Sequence, residues 1–197
     1  MPKFLFPVLL LVLTFTACNT PSHKASAEAP QSLADVPTDT TPAFTTTVLQ
    51  TDLASPRKEM KGTIDGVNLT INYGSPAVKG RSLWGTLIPF GKVWRTGANE
   101  ATRVTIDQAI TIGGQTLPAG TYSLFSVPGA SEWELIFNST ADQWGAYEYD
   151  ETKDVLRIKA QPQLVENSIE NLEFTIARGS LVLSWEKLRL PVAISKA

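Results

Sequence analysis

One cysteine and one histidine in 197 residues leave little room for the commoner kinds of catalytic chemistry. They are Cys18 and His23, and no thiol or imidazole follows position 23. Ser-His-Asp and Cys-His nucleophilic sites are therefore excluded from the body of the chain. Zinc centres built on His or Cys ligands are excluded too, and a lone cysteine forms no internal disulfide. There is no glycine-rich phosphate loop, dinucleotide fingerprint or Asp-x-Asp-x-Asp-Gly calcium loop, so no cofactor or metal is expected. A clustered basic face is also lacking. The 17 basic and 19 acidic residues are interspersed and sum to a formal net charge of −2, which argues against a nucleic-acid partner. The one long apolar run, Phe4 to Thr16, has 13 residues, whereas a membrane-spanning helix needs roughly 20.

That run is informative for what flanks it. Lys3 precedes it and Ala17-Cys18 closes it. A positive charge, a short apolar segment and a small residue in that order form a secretory signal. The small residue followed by cysteine resembles the lipobox of bacterial lipoproteins. The resemblance implies removal of residues 1–17 and attachment of lipid to Cys18, with the membrane as partner through that anchor. A cleaved signal with an incidental cysteine is the competing reading, and it leaves an unpaired thiol in an oxidising compartment. Asn19, where an aspartate would imply retention at the inner membrane, implies by the same resemblance the outer membrane, facing the periplasm.

Residues 18–52 are expected to be the lipid-attachment cysteine and a flexible linker. Thr20 to Thr47 is rich in Thr, Ser, Ala and Pro, with Leu33, Val36 and Phe44 isolated. Such a composition buries too little apolar surface to offset its ordering entropy. Residues 53–197 have the size of one domain. Val67 to Tyr73 alternates apolar and polar residues strictly, which puts Val67, Leu69, Ile71 and Tyr73 on one sheet face. Thr102–Ile106, Trp133–Phe137, Val155–Lys159, Leu172–Ile176 and Leu181–Trp185 read similarly. Asp65-Gly66, Gly113-Gly114, Pro118-Ala119-Gly120, Pro128-Gly129 and Arg178-Gly179 supply turns between them. The expected fold is all-β, a single antiparallel β-sandwich or barrel-like domain. Short helical turns are expected at Ser82–Leu87 and Ser139–Gly145.

Four segments carry a second resemblance. They are Tyr73-Gly74-Ser75-Pro76-Ala77-Val78-Lys79-Gly80-Arg81 running into Leu83-Trp84-Gly85, Gly91-Lys92-Val93-Trp94-Arg95-Thr96-Gly97-Ala98-Asn99-Glu100-Ala101-Thr102, Leu117-Pro118-Ala119-Gly120-Thr121-Tyr122-Ser123-Leu124-Phe125, and Trp144-Gly145-Ala146-Tyr147. In that order they resemble domain-of-unknown-function family 2911, a family of exported proteins and lipoproteins found mainly in Bacteroidota. The resemblance spans roughly Ser55 to Ile194. It implies no activity and transfers no catalytic residues, so function has to be read from the residues themselves.

The densest polar and aromatic constellation runs from Trp94 to Glu100. Arg95 is a planar cation able to grip a carboxylate or phosphate with two hydrogen bonds. Asn99 both donates and accepts, Glu100 adds a carboxylate, and Trp94 offers a flat ring. With Arg81, Trp84, Trp144 and Tyr147 these residues would form an aromatic cleft edged by polar groups, the usual form of a small-ligand site. The structural alternative pairs Arg95 with Glu100, uses Asn99 as a turn cap, and makes the aromatics seals at the ends of a sandwich. The leading functional expectation is a non-catalytic, membrane-anchored binding module for a glycan, a peptide end or an envelope protein. A carboxylate hydrolase of an envelope glycan is the alternative, with Glu100, Asp142, Glu148 and Asp150 as candidate acids. A purely structural or assembly role is a third.

The anchor makes the first testable expectation. Cys18→Ser should release the protein from membranes or leave its precursor uncleaved. Membrane fractionation together with precursor mobility reads both, and a variant unchanged on both counts would dispose of lipidation.

Overall fold

The computed structural model describes residues 43–197. The expected signal, Cys18 and the linker up to residue 42 lie outside the described residues. Eleven strands form two antiparallel sheets packed face to face, an open β-sandwich rather than a closed barrel. The larger sheet contains β1 (Phe44–Gln50), β2 (Arg57–Ile64), β3 (Val67–Gly74), β4 (Thr102–Ile106), β7 (Gly120–Val127), β8 (Trp133–Asn138) and β9 (Asp154–Ala160), adjacent in that order. The smaller one orders β10 (Gln163–Ala177), β11 (Ser180–Lys196), β5 (Ile110–Ile112) and β6 (Gln115–Leu117). One 3-10 turn, Glu151–Lys153, precedes β9.

Turn chemistry sets the registers. Three two-residue hairpins join β2 to β3, β5 to β6 and β10 to β11. Their central pairs, Asp65-Gly66, Gly113-Gly114 and Arg178-Gly179, all have positive φ, between 50° and 77°. Two successive left-handed residues make the type I′ turn, whose twist matches the flanking strands. The alternation in β3 then does what it predicts. Val67, Leu69, Ile71 and Tyr73 are fully buried and face Leu172, Phe174, Leu181 and Leu183 in one core cluster.

β11 shows how a single residue redirects a face. Its buried apolar side chains fall at 181, 183 and 185, then at 188, 190, 192 and 194. The parity changes at Glu186, which has φ 53° and sits where the pairing with β10 shifts register. One extra residue in a bulge restores the inward face after a bend. The same strand therefore serves β10 with its first half and β5 with its end.

Two expectations need correction. The linker does not extend to residue 52, because Phe44–Gln50 is a strand paired with β2 from Phe44 opposite Gly62 onward. It is an edge strand, exposed along nearly its whole length. Its sequence lacks an inward apolar stripe for that reason, and Phe44 alone packs on the core. Neither expected helical turn forms. At 82–88 the chain closes a turn with Ile88 N donating to Leu83 O at 2.8 Å, and Gly85 at φ 78° breaks the helical path. At 139–145 the backbone turns outward to pair with residues 100 and 101.

The inward face of β3 supplies a test of the core. Ile71, fully buried, should cost about 2–5 kcal/mol when replaced by alanine. Denaturant titration reads it, and a loss below about 0.5 kcal/mol would be incompatible with this packing.

Candidate functional site

The segment Trp94–Thr102 is a closed excursion from the large sheet. The chain leaves at Trp94, bridged to Ser126 by two backbone hydrogen bonds of 2.7 and 2.8 Å. It re-enters at Thr102, opposite Leu124, two residues along the same neighbour. Thr102 closes the loop by donating from its N to Arg95 O at 3.1 Å and from its hydroxyl to Thr96 O at 2.9 Å. Thr96 Oγ1, fully buried, donates to Ser126 Oγ at 3.0 Å. Trp94 Nε1 donates to Gly97 O at 3.1 Å. The loop also lies directly on the end of β3. Ala98 N donates to Gly74 O at 3.3 Å, and a Cβ at Gly74 would sit 2.1 Å from Ala98 O. Only glycine permits that approach.

This loop separates two depressions. The first is a cleft of about 390 Å³ whose polar rim is Arg81, Lys92, Arg95 and Asn99. Trp94, Trp185, Pro76 and residues 87–89 form its apolar lining. Three of those lining groups are cations and none is an acid. Arg81 is engaged, donating to Val78 O at 3.0 Å and Ala77 O at 2.5 Å. Arg95 is not. Its side chain has no hydrogen bond or ion pair among the described residues, and its Nε is buried without an acceptor. Burial holds this guanidinium below its ordinary pKa, an effect opposed by nearby Tyr147, yet an arginine in a protein keeps its charge. Asn99 is left-handed at φ 63° and donates to Ser55 O at 3.3 Å.

The second depression, about 260 Å³, lies on the other side of the loop and is lined by Arg57, Glu100, Asp142, Gln143, Trp144 and Glu148. Glu100 accepts from Arg57 at 2.7 Å, so the expected pairing of Arg95 with Glu100 does not exist. Sequence separation hid Arg57, which comes from β2, 43 residues away. Asp142 pairs with Arg103 at 2.7 Å. Asp150 lies apart from the groove and caps the 3-10 turn. It accepts from Thr152 N at 2.9 Å and Oγ1 at 2.7 Å, and these bonds hold its carboxyl below the usual range.

The single aromatic cleft drawn from the sequence is thus divided. Trp94, Arg81, Arg95 and Asn99 meet in the first depression, and Glu100 and Trp144 in the second. Tyr147, 89% exposed, projects from the loop that lines the second. Trp84 lines neither. It is half-buried in a cluster of four indoles with Trp94, Trp133 and Trp185, at centroid distances of 5.0–6.2 Å. Lys92 was not singled out from the sequence, although it sits two residues before Trp94. Its contribution depends on the cleft, not on a local pattern. Among the described residues no group of three His, Cys, Asp or Glu side chains is placed to hold a metal ion.

Comparison with known proteins returns one finding. The model of the family described as "Protein of unknown function (DUF2911)" matches residues 55–194. No curated protein and no solved structure matches the chain.

The contrast between Arg95 and Asn99 can be measured. Arg95→Ala removes no hydrogen bond or ion pair seen among the described residues and should leave stability within about 0.5 kcal/mol of wild type. Asn99→Ala should lose about 1–2 kcal/mol for the left-handed backbone alone, and Asn99→Gly should recover most of it. Thermal or denaturant melting without added ligand checks all three. A large loss for Arg95→Ala would make that residue a structural clamp.

Proposed function

The chain belongs to the family of proteins of unknown function DUF2911, and we propose that it is a non-catalytic binding module of the cell envelope, anchored through lipid on Cys18 and capturing a ligand by an anionic group in the Arg95 cleft. The observation behind this reading is the free guanidinium. A half-buried cation without a partner has lost part of its hydration and regained nothing for it. A carboxylate or phosphate entering the cleft restores that loss, at roughly 1.5–3 kcal/mol for a charge-assisted hydrogen bond. Lys92 and Arg81 at the rim add long-range attraction, and no acidic side chain lines the cleft to oppose it. The apolar floor of Trp94 and Trp185 suits the remainder of a small ligand. The ligand classes that fit are the carboxylate of a glycan, a peptide end, or an acidic side chain of another envelope protein.

Hydrolysis is the weaker reading because three of the four candidate acids are already engaged, which leaves Glu148 alone without a partner among the described residues. Glu100 and Asp142 each hold an arginine, and Asp150 holds a turn. A glycosidase needs two carboxyl groups free to face one bond.

Titration of the purified protein with acetate and with phosphate, followed by nuclear magnetic resonance, tests the cleft. The Arg95 Nε–H and Trp94 Nε1–H resonances should move saturably with at least one anion and not with glycerol. The Trp94 response should vanish in Arg95→Ala. The anions are taken well beyond about 1 mM, where some 4 kcal/mol of binding is half saturated. No movement of either resonance there would reject the cleft as an anion site.

A further inference from the structure

The Arg95 cleft leaves the neighbouring loop, residues 139–150, without a role, and that loop displays the two most exposed aromatic rings of the described fold. Trp144 is 59% exposed and Tyr147 89% exposed, while the other four tryptophans and the other three tyrosines are buried or half-buried. Leaving a large apolar side chain in water forgoes roughly 1.5–3 kcal/mol of burial. The loop is nonetheless held firmly. Ala101 N donates to Gln143 O at 3.0 Å, and Glu100 and Trp144 form an antiparallel bridge. Gln143, buried, donates from Nε2 to Ser123 Oγ at 3.0 Å, Asn138 Oδ1 at 3.2 Å and Thr140 O at 2.7 Å. Trp144 is therefore presented at a set position beside the loop that holds Arg95.

Three carboxylates, Glu100, Asp142 and Glu148, line the groove beside Trp144, with Arg57 as its one cation. Glu100 is held by Arg57, and Glu148 is exposed and without an ion pair among the described residues. This side offers acceptors, whereas the Arg95 side offers donors. Asn99 and Glu100, consecutive in sequence, line the two depressions in turn. Tyr147, three residues beyond Trp144, is near enough to the Arg95 guanidinium to oppose the effect of its burial.

We propose that the two depressions form one recognition surface for an acidic saccharide, its carboxylate on Arg95, its ring faces on Tyr147 and Trp144, and its hydroxyls donating to the carboxylate of Glu148 and to the oxygen of Glu100 that Arg57 leaves open. The proposal rests on the anion reading of the Arg95 cleft. Sugars suit flat aromatic rings flanked by acceptors, because each ring has an apolar face and an edge of hydroxyl donors. A peptide would use a free sheet edge, an apolar groove for a helix, or an aromatic groove for a proline-rich segment. Here the backbone at residues 100 and 144 is already paired, and the groove is lined by charged and amide side chains.

The test uses the purified protein on an array of uronate- and other carboxylate-bearing glycans, their neutral counterparts, and acidic peptides, with calorimetry on the strongest binder. Binding should be confined to carboxylate-bearing glycans. Arg95→Ala should abolish it, and Trp144→Ala and Tyr147→Ala should each weaken it by about tenfold or more. Both rings are exposed, so the variants should melt like wild type, and melting curves confirm it. Equal affinity in wild type and a Trp144→Ala, Tyr147→Ala double variant would overturn the proposal. So would preference for neutral glycans, for acidic peptides, or for nothing on the array. A wild-type protein that still responds to acetate or phosphate at Arg95 would then keep its anion cleft, while loss of that response as well would remove both readings.

Discussion

Four indoles packed at one end of the sandwich are the contact on which the site depends. Trp133 comes from β8 of the large sheet and Trp185 from β11 of the small one. Trp84 comes from the connection after β3, and Trp94 from the mouth of the 94–102 loop. Trp94 and Trp185 stack at 19°, and the other pairs are edge to face. Both arrangements suit the ring quadrupole and add about 0.5–1.5 kcal/mol per pair beyond burial. The cluster joins the two sheets where the loops emerge, and Trp94 and Trp185 also line the cleft. The cleft proposed as a binding surface is thus built directly on the core. Two further bonds spare the indoles a polar penalty, Trp94 Nε1 to Gly97 O and Trp185 Nε1 to Glu170 O. Trp84 Nε1 and Trp133 Nε1 have no such acceptor among the described residues, and the ring faces beside them offer a weaker one.

Among the described residues, Arg95 is the half-buried guanidinium left without a hydrogen bond or ion pair, and the other arginine without either, Arg178, lies in an exposed turn. Arg57 holds Glu100, Arg103 holds Asp142, and Arg157 holds both Glu134 and Asp154. Between the sheets, Tyr73 donates to Glu173 at 2.9 Å, and Lys58 also bonds that carboxylate. Burial, then the adjacent carboxylate, keeps the Tyr73 phenol far above its ordinary pKa and therefore a donor. This triad ties β2 and β3 to β10. Arg95 is half-buried and takes no part in these pairings, and the proposed anion would fill that vacancy.

Much of the fold was legible because its signals are local. Alternation in β3 named its buried face, and Asp65-Gly66 and Arg178-Gly179 named two hairpins. The expected Thr102–Ile106 strand matches β4 from end to end. β1 packs almost nothing, so it shows no stripe and was missed. Of β11 only Leu181–Trp185 was read, because the strand changes face at Glu186 and no single period describes the rest. The site was legible as a segment, Trp94 to Glu100, but not as an arrangement. Trp84 went to the core, Arg57 arrived from a distant strand, and Asn99 took on a backbone role.

The sequence by itself determined the class of fold, the chemistry excluded by the want of histidine and cysteine in the domain, and the family, whose model matches residues 55–194. These follow from composition, period and turn residues, which act over a few positions along the chain. Only the tertiary structure decided which charges are spent and which remain. An ion pair forms between side chains that the fold brings together, whatever their separation in sequence, and Glu100 finds Arg57 rather than Arg95. Leaving Arg95 unpaired, over stacked indoles and beside a loop that exposes Trp144, was decided by the way two sheets and two loops pack at one end of the sandwich.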